Sequence, residues 1–207
     1  MQEWVSCGDT STAVATVGQS PAGMYLNDDE EDANPLDHFW MEGDSLAPPC
    51  QAELDVVKAI LDLAEPYFNS PTSKNFNTMY DLGCGDGRIC TEASRRFGCN
   101  SVGCEIEPRL VERFRANVKA LQLEERVTIV EGDLCDLQLN ALGVVAIYLL
   151  PESVRLIRDK LEDALRRGCV LICNTWGLEG LTPKSVTACG FANNCTLLLF
   201  DASCLDT

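Results

Sequence analysis

The 207-residue sequence predicts an α/β fold: a doubly wound, mostly parallel sheet of seven strands, closed by a C-terminal antiparallel hairpin. Three observations lead there. Short apolar runs alternate with segments of three-and-four spacing, the pattern of βα units. A glycine-rich turn, Gly83-Cys84-Gly85-Asp86-Gly87, joins the first apolar run to the helix behind it. The chain then finishes on two β-like runs separated by turn residues, where a plain dinucleotide-binding domain would continue with further βα units.

Taken in order, the first 45 residues stand apart. They hold ten acids and no Lys or Arg, and centre on Asp28-Asp29-Glu30-Glu31-Asp32. So little apolar surface cannot offset the entropy of ordering, so residues 1–45 are expected to be an acidic, mostly disordered tail ahead of a domain spanning 46–207. Phe39-Trp40-Met41 is the exception, an apolar cluster able to dock on the domain. From Gln51 a helical pattern begins on Leu54, Val57, Ile60, Leu61 and Ala64, with Pro66 expected to end it.

A strand ending in Met79-Tyr80-Asp81-Leu82 follows, then a helix from about Gly87 to Phe97 stopped by Gly98. Ser101 to Ile106 reads as the second strand. Pro108 opens a helix with Leu110, Val111, Phe114, Val118 and Leu121 on its apolar face. Arg126 to Val130 and Val144 to Leu150 read as strands three and four. Pro151 starts one long helix bearing Val154, Ile157, Leu161 and Leu165, ended by Gly168. Cys169 to Asn174 is the fifth strand. Ser185 to Cys189 and Cys195 to Phe200 form the hairpin around Ala192-Asn193-Asn194.

The net charge of −16 belongs mainly to the tail, since the rest of the chain sets 22 acids against all 16 bases. That balance argues against a nucleic-acid partner, which needs clustered Lys and Arg. It is compatible with a basic protein substrate drawn in by charge, but a solvated tail that keeps the chain in solution is the plainer explanation. Twelve cysteines without a CxxC, and a single histidine at His38, give no zinc-ligand spacing, so no metal is expected. Cys104, Cys169 and Cys173 lie in apolar runs and read as small hydrophobes of a reducing compartment, the cytoplasm. Neither a secretory signal nor a membrane-length apolar run is visible, so no membrane association is expected. The sequence is silent on oligomeric state.

In a doubly wound sheet, ligands bind beyond the carboxyl ends of the strands, near the point where strand order reverses. The glycine turn sits at such an end, and its spacing is GxGxG with Asp81 two residues ahead, not GxGxxG. A carboxylate there repels pyrophosphate but suits a ligand with a positively charged amino-acid end, which favours S-adenosylmethionine over NAD. Glu105, 22 positions after Gly83 at the next strand end, can accept ribose hydroxyls. Asp133, after the third strand, can accept an adenine amino group. Each acid alone has a plainer explanation as a surface, turn or helix-terminal carboxylate. Three at three successive strand ends point to one nucleoside site.

On these residues the chain resembles a known family. YDLGCGDGRI, GCEIEP, VEGDLCDL and VVAIYLLPE are similar to the ordered motifs of class I (seven-stranded) S-adenosylmethionine-dependent methyltransferases. The likeness is closest to the small protein-lysine methyltransferases related to the ATP-synthase c-subunit enzyme, and it covers about residues 48–176. It implies a Rossmann-like methyltransferase fold, with Asp81, Gly83 and Gly85 holding the methionine part, Glu105 the ribose and Asp133 the adenine. Two departures stand out. The aromatic of the stretch before the first helix is missing from Ser45-Leu46-Ala47-Pro48-Pro49-Cys50, a place Phe39 or Trp40 could take, and the membrane segment of the mitochondrial members is absent.

Methyl transfer from a sulfonium is an in-line displacement that needs alignment more than a nucleophilic side chain. The acceptor is expected near Tyr148-Leu149-Leu150-Pro151-Glu152. Methyltransferases acting on amide or base nitrogens commonly carry Asn/Asp-Pro-Pro-Tyr/Phe there, and this sequence does not. Glu152 and Tyr148 are the catalytic candidates, Glu152 to orient or deprotonate a lysine amine and Tyr148 to pack on the cofactor. Glu152 is also explained as a helix first-turn acid, and Tyr148 as core. Trp176 is a candidate wall of the acceptor pocket, or a packing residue. A protein-lysine methyltransferase with a protein substrate is the leading expectation. The alternatives are a small-molecule methyltransferase and an inactive cofactor-binding partner protein.

Overall fold

Seven strands pair in the order β3-β2-β1-β4-β5-β7-β6. The computed structural model describes residues 52–69 and 76–205; the acidic tail, His38, Phe39 and Trp40 lie outside them. Strands β1 (Thr78–Leu82), β2 (Asn100–Glu105), β3 (Val127–Glu131), β4 (Gly143–Ile147) and β5 (Val170–Asn174) run parallel. The hairpin β6 (Ser185–Cys189) and β7 (Cys195–Phe200) is antiparallel, as the sequence indicates, and β7 is the strand that pairs with β5, leaving β6 at the edge.

Helices cover both faces. On one, α1 (Leu54–Asn69) and α2 (Arg88–Phe97) pack Val57, Ile60, Leu61, Ile89 and Ala93 against Met79, Val144, Ala146 and Ile172. Beside them, α3 (Pro108–Ala120) buries Phe114 and Val118 against Cys84, Cys90 and Val127. On the other face, α4 (Pro151–Leu156) and α5 (Arg158–Arg167) bury Val154, Leu161 and Leu165 against Tyr80, Val145, Ile147 and Leu171. Alternate strand residues thus feed opposite layers, which is why β1, β4 and β5 are apolar or buried at every position. Burial pushes the Cys84 and Cys90 thiols well above their ordinary value and that of Cys173 to about 12, so these thiols act as packing groups.

Several local expectations are corrected. Pro66 lies inside α1, which runs on to Asn69. The last turn is held from outside: Arg96 bonds the carboxylates of Asp62 (2.7 Å) and Glu65 (2.5 Å), and Phe68 stacks on Phe97 with ring centroids 4.8 Å apart. These contacts offset the main-chain hydrogen bond that proline forfeits. The helix expected from Pro151 to Gly168 is broken at Ile157 (φ −106°, ψ 10°), although Val154, Ile157, Leu161 and Leu165 still share one buried stripe. The fourth strand stops at Ile147, three residues early, because the chain turns there into the segment that leads to α4. The second and third strands are each displaced by a residue.

Candidate active site

Strand order reverses between β1 and β4, and the glycine turn leaves β1 at that point. Its first two amides, of Gly83 and Cys84, both donate to the Cys104 carbonyl (3.0 Å each), which ties the turn to the tip of β2. Gly85 adopts φ +55°, and a Cβ built there meets nothing within 4 Å, so open space lies directly against the main chain. Gly87 is needed for the opposite reason: its Cβ would lie 1.9 Å from Cδ2 of the buried Phe114. One glycine keeps a cavity clear; the other lets α2 and α3 close up beneath it.

Glu105 ends β2 with its carboxylate turned into this turn. Oε2 accepts from the Gly85 amide (2.9 Å), and Oε1 accepts from the amides of Ile106 and Glu107 (2.9 Å each). Of roughly four acceptor positions on a carboxylate, three are therefore met by main chain, leaving one, enough for a single hydroxyl rather than two. The Glu105 carbonyl accepts from Gly132 (2.9 Å), which brings the tip of β3 alongside. Asp133 follows it, exposed, its Oδ1 taking the Cys135 amide (2.7 Å).

Asp81 is buried in β1, in register with Gly103 and Ala146. Burial, with Glu105 and then Asp86 adding like charge, raises its pKa to about 8. In the free protein this carboxyl is largely protonated at neutral pH. A cation placed against it would restore the ionised form, so a positively charged ligand end suits the site and an anionic one does not. Together with the space at Gly85 and the remaining acceptor position on Glu105, the residues present fit a cationic nucleoside.

Several contributors escaped the sequence reading. Asp86 and Arg88 form a buried ion pair (2.8 Å) that spans the turn, and Arg88 also donates to the Ala52 carbonyl (3.0 Å), joining the turn to the start of α1. Asn117 donates to the Asp86 carbonyl (3.0 Å). Its signal was present, as a lone polar side chain on the apolar stripe of Leu110, Phe114 and Val118. Ile106, about half exposed beside Glu105, offers an apolar surface at the rim. At the next tips, Tyr148 is partly buried just past β4, Glu152 is exposed in the first turn of α4, and Trp176 is partly exposed past β5.

A separate hollow of about 920 Å³ opens over β1, β2 and β3 on the α4 side, where the crossover from β3 to β4 contains no helix. It includes Gly132 and Asp133 but none of Asp81, Gly83, Gly85 or Glu105, so the converging strand tips, rather than this hollow, locate the site.

Fold and site define a Rossmann-like, seven-stranded methyltransferase that uses S-adenosylmethionine. The chain belongs to the family of the ANTKMT methyltransferase domain, whose model matches residues 81–185, half of its length. A protein-lysine N-methyltransferase of Saccharolobus islandicus (strain REY15A) is 32% identical over 52% of this chain and 68% of its own. A carboxy-S-adenosyl-L-methionine synthase of Aliivibrio salmonicida (strain LFI1238) is 32% identical over 57% of this chain, which spans half of that protein. Among solved structures, an RNA methyltransferase from Salinibacter ruber in complex with S-adenosyl-L-homocysteine superposes with a TM-score of 0.64 at 28% identity, covering 73% of this chain and 92% of that one.

Proposed function

We propose that the protein transfers the methyl group to a protein lysine amine. The observation that carries this reading is the kinship with the Saccharolobus protein-lysine N-methyltransferase, 32% identical over 109 residues. The site supports it. The bound cofactor supplies an electrophilic methyl group on a positively charged sulfur.

In this reading Gly83 and Gly85 admit the methionine part to the main chain, and Asp81 offsets its ammonium. Glu105 would take one ribose hydroxyl and Asp133 the adenine amino group, with Ile106 offering an apolar surface to the ring. The acceptor approaches between the tips of β4 and β5. A lysine must shed a proton before its lone pair can attack, because its ordinary pKa is about 10.4. Glu152, exposed at the N-terminus of α4, holds or receives that proton, and Tyr148 walls the cofactor. With the donor bound, an N–C bond would form as its C–S bond broke, and the side chains would contribute alignment rather than covalent chemistry. The substrate is a protein, without a nucleic-acid or membrane partner. The free thiols among the described residues support a cytoplasmic setting.

The test is incubation with methyl-labelled cofactor and a cell lysate, followed by separation of protein, RNA and small molecules. Label on lysine side chains is the expected result. Label confined to RNA or to small molecules removes the lysine reading, and a small-molecule product would align the chain with its carboxy-S-adenosyl-L-methionine synthase relatives. Saturable cofactor binding with no label in any fraction would instead mark a non-catalytic binding protein.

A further inference from the structure

The end of β5 carries two irregularities that the cofactor does not account for. Asn174 is 1% exposed, and its Nδ2 is a buried side-chain nitrogen without a hydrogen-bond partner among the described residues. Buried polar groups are nearly always paired, so an exception needs a reason. The next residue, Thr175, has φ +66°, a backbone region that β-branched side chains rarely enter. This turn is held on three sides. The Thr175 amide donates to the Thr196 carbonyl (2.7 Å), its hydroxyl donates to Asn174 Oδ1 (3.1 Å), and the Trp176 amide donates to the Asn174 carbonyl (2.8 Å). Strain kept in place by surrounding bonds is typical of ligand-contacting turns.

Position supplies the rest. Ile147 pairs with Cys173, so the next residues, Tyr148 just past β4 and Asn174 at the last position of β5, lie side by side at this end of the sheet. Asn174 follows Ile172 by two and lies on the α1 side of the sheet, as Asp81 does. Trp176, 38% exposed, comes next at the rim. A partly exposed indole can cover the aliphatic stem of a long side chain and attract its cationic head. The Asn174 amide has spare capacity on both atoms: Nδ2 is unpaired, and Oδ1 receives one bond.

We propose that Asn174 and Trp176 form the acceptor-recognition element. Trp176 walls the lysine stem, and Asn174 Oδ1 accepts an N–H of the uncharged amine, which turns the amine's lone pair toward the methyl group. Thr175 is the clamp that sets both. The proposal rests on the amine-acceptor reading, so its test separates the two.

The probe is an adenosine analogue with nitrogen in place of the sulfonium sulfur, carrying the cofactor's amino-acid chain and, where the methyl group would be, a 2-(butylamino)ethyl arm, whose amine lies next to the place of the lysine nitrogen and whose butyl group stands for the lysine stem. Its affinity is compared with that of the methyl-bearing parent and of S-adenosyl-L-homocysteine. Wild type is expected to bind the arm-bearing probe at least tenfold more tightly than the parent. Asn174→Leu and Trp176→Ala are expected to shrink that preference to within twofold, while S-adenosyl-L-homocysteine affinity stays within twofold of wild type. Trp176→Phe is expected to retain most of the preference. Asn174→Leu removes an unpaired buried donor, so its melting temperature should hold or rise; Trp176→Ala alters a rim residue and keeps the test open should Asn174→Leu misfold. Full arm preference in either variant removes that residue from the proposal. No arm preference in wild type overturns the amine reading, and this element with it.

Discussion

At the scale of single residues, Asp81 carries the sharpest tension between stability and function. Its folded pKa of about 8 lies far above its ordinary 3.8, so the native state keeps a proton that the unfolded chain releases. The sign follows: this residue favours folding fully below about pH 4, and the contribution is lost as pH rises through 8. Asp81→Asn cannot ionise and escapes the loss. The variant should gain stability relative to wild type between pH 5 and 8, by up to about 1.4 kcal/mol per pH unit. Denaturant unfolding at several pH values checks this, and parallel profiles for the two proteins would contradict it. Calorimetry should show the opposite for the ligand: wild type takes up S-adenosyl-L-homocysteine more tightly toward pH 8 with release of a proton, whereas Asp81→Asn binds weakly at every pH. Glu105 differs because main-chain amides satisfy most of its carboxylate. It secures the turn as much as it offers a contact.

At the scale of elements, the last turn of α1 shows tertiary contacts overriding local preference. Proline within a helix forfeits a hydrogen bond and crowds the preceding turn. Yet Pro66 is retained where Arg96, Phe68 and Phe97 hold the flanking turn. Pro66→Ala should restore the bond to the Asp62 carbonyl and stabilise the protein by about 1–2 kcal/mol, less than the full helix-interior cost of proline because the unfolded chain also gains freedom. Chemical denaturation with an unchanged m-value is the check; a loss of stability would show that the kink itself is required. The break at Ile157 belongs to the same scale. Sequence periodicity showed a continuous apolar stripe, and the stripe is real, but side-chain spacing does not report one non-helical residue within it.

At the scale of the whole molecule, charge is the dominant feature. The chain carries −16. If the acceptor is a basic protein, encounter is aided by long-range attraction that salt screens, with a Debye length near 10 Å at 0.1 M ionic strength. Methylation of a basic acceptor should therefore fall several-fold in kcat/KM between about 0.05 and 0.3 M NaCl, while kcat changes little. Steady-state kinetics across that range decides it. A flat response would mean that the acidity serves solubility alone.

What the sequence determined unaided was the alternation of strands and helices, the hairpin and the chemistry of the glycine turn. Each of these is written in local spacing: period two against period 3.6, and glycines where side chains cannot fit. An acid two residues before the turn, with two more at later strand ends, pointed to a cationic nucleoside rather than a dinucleotide. Tertiary structure alone decided the insertion of β7 between β5 and β6, the Asp86–Arg88–Asn117 support beneath the turn, the main-chain bonds to Glu105 and the Asn174 Nδ2 left without a partner among the described residues. These depend on which residues meet across tens of positions and on how far water is excluded when they do. Neither quantity is encoded in the neighbours of any one residue.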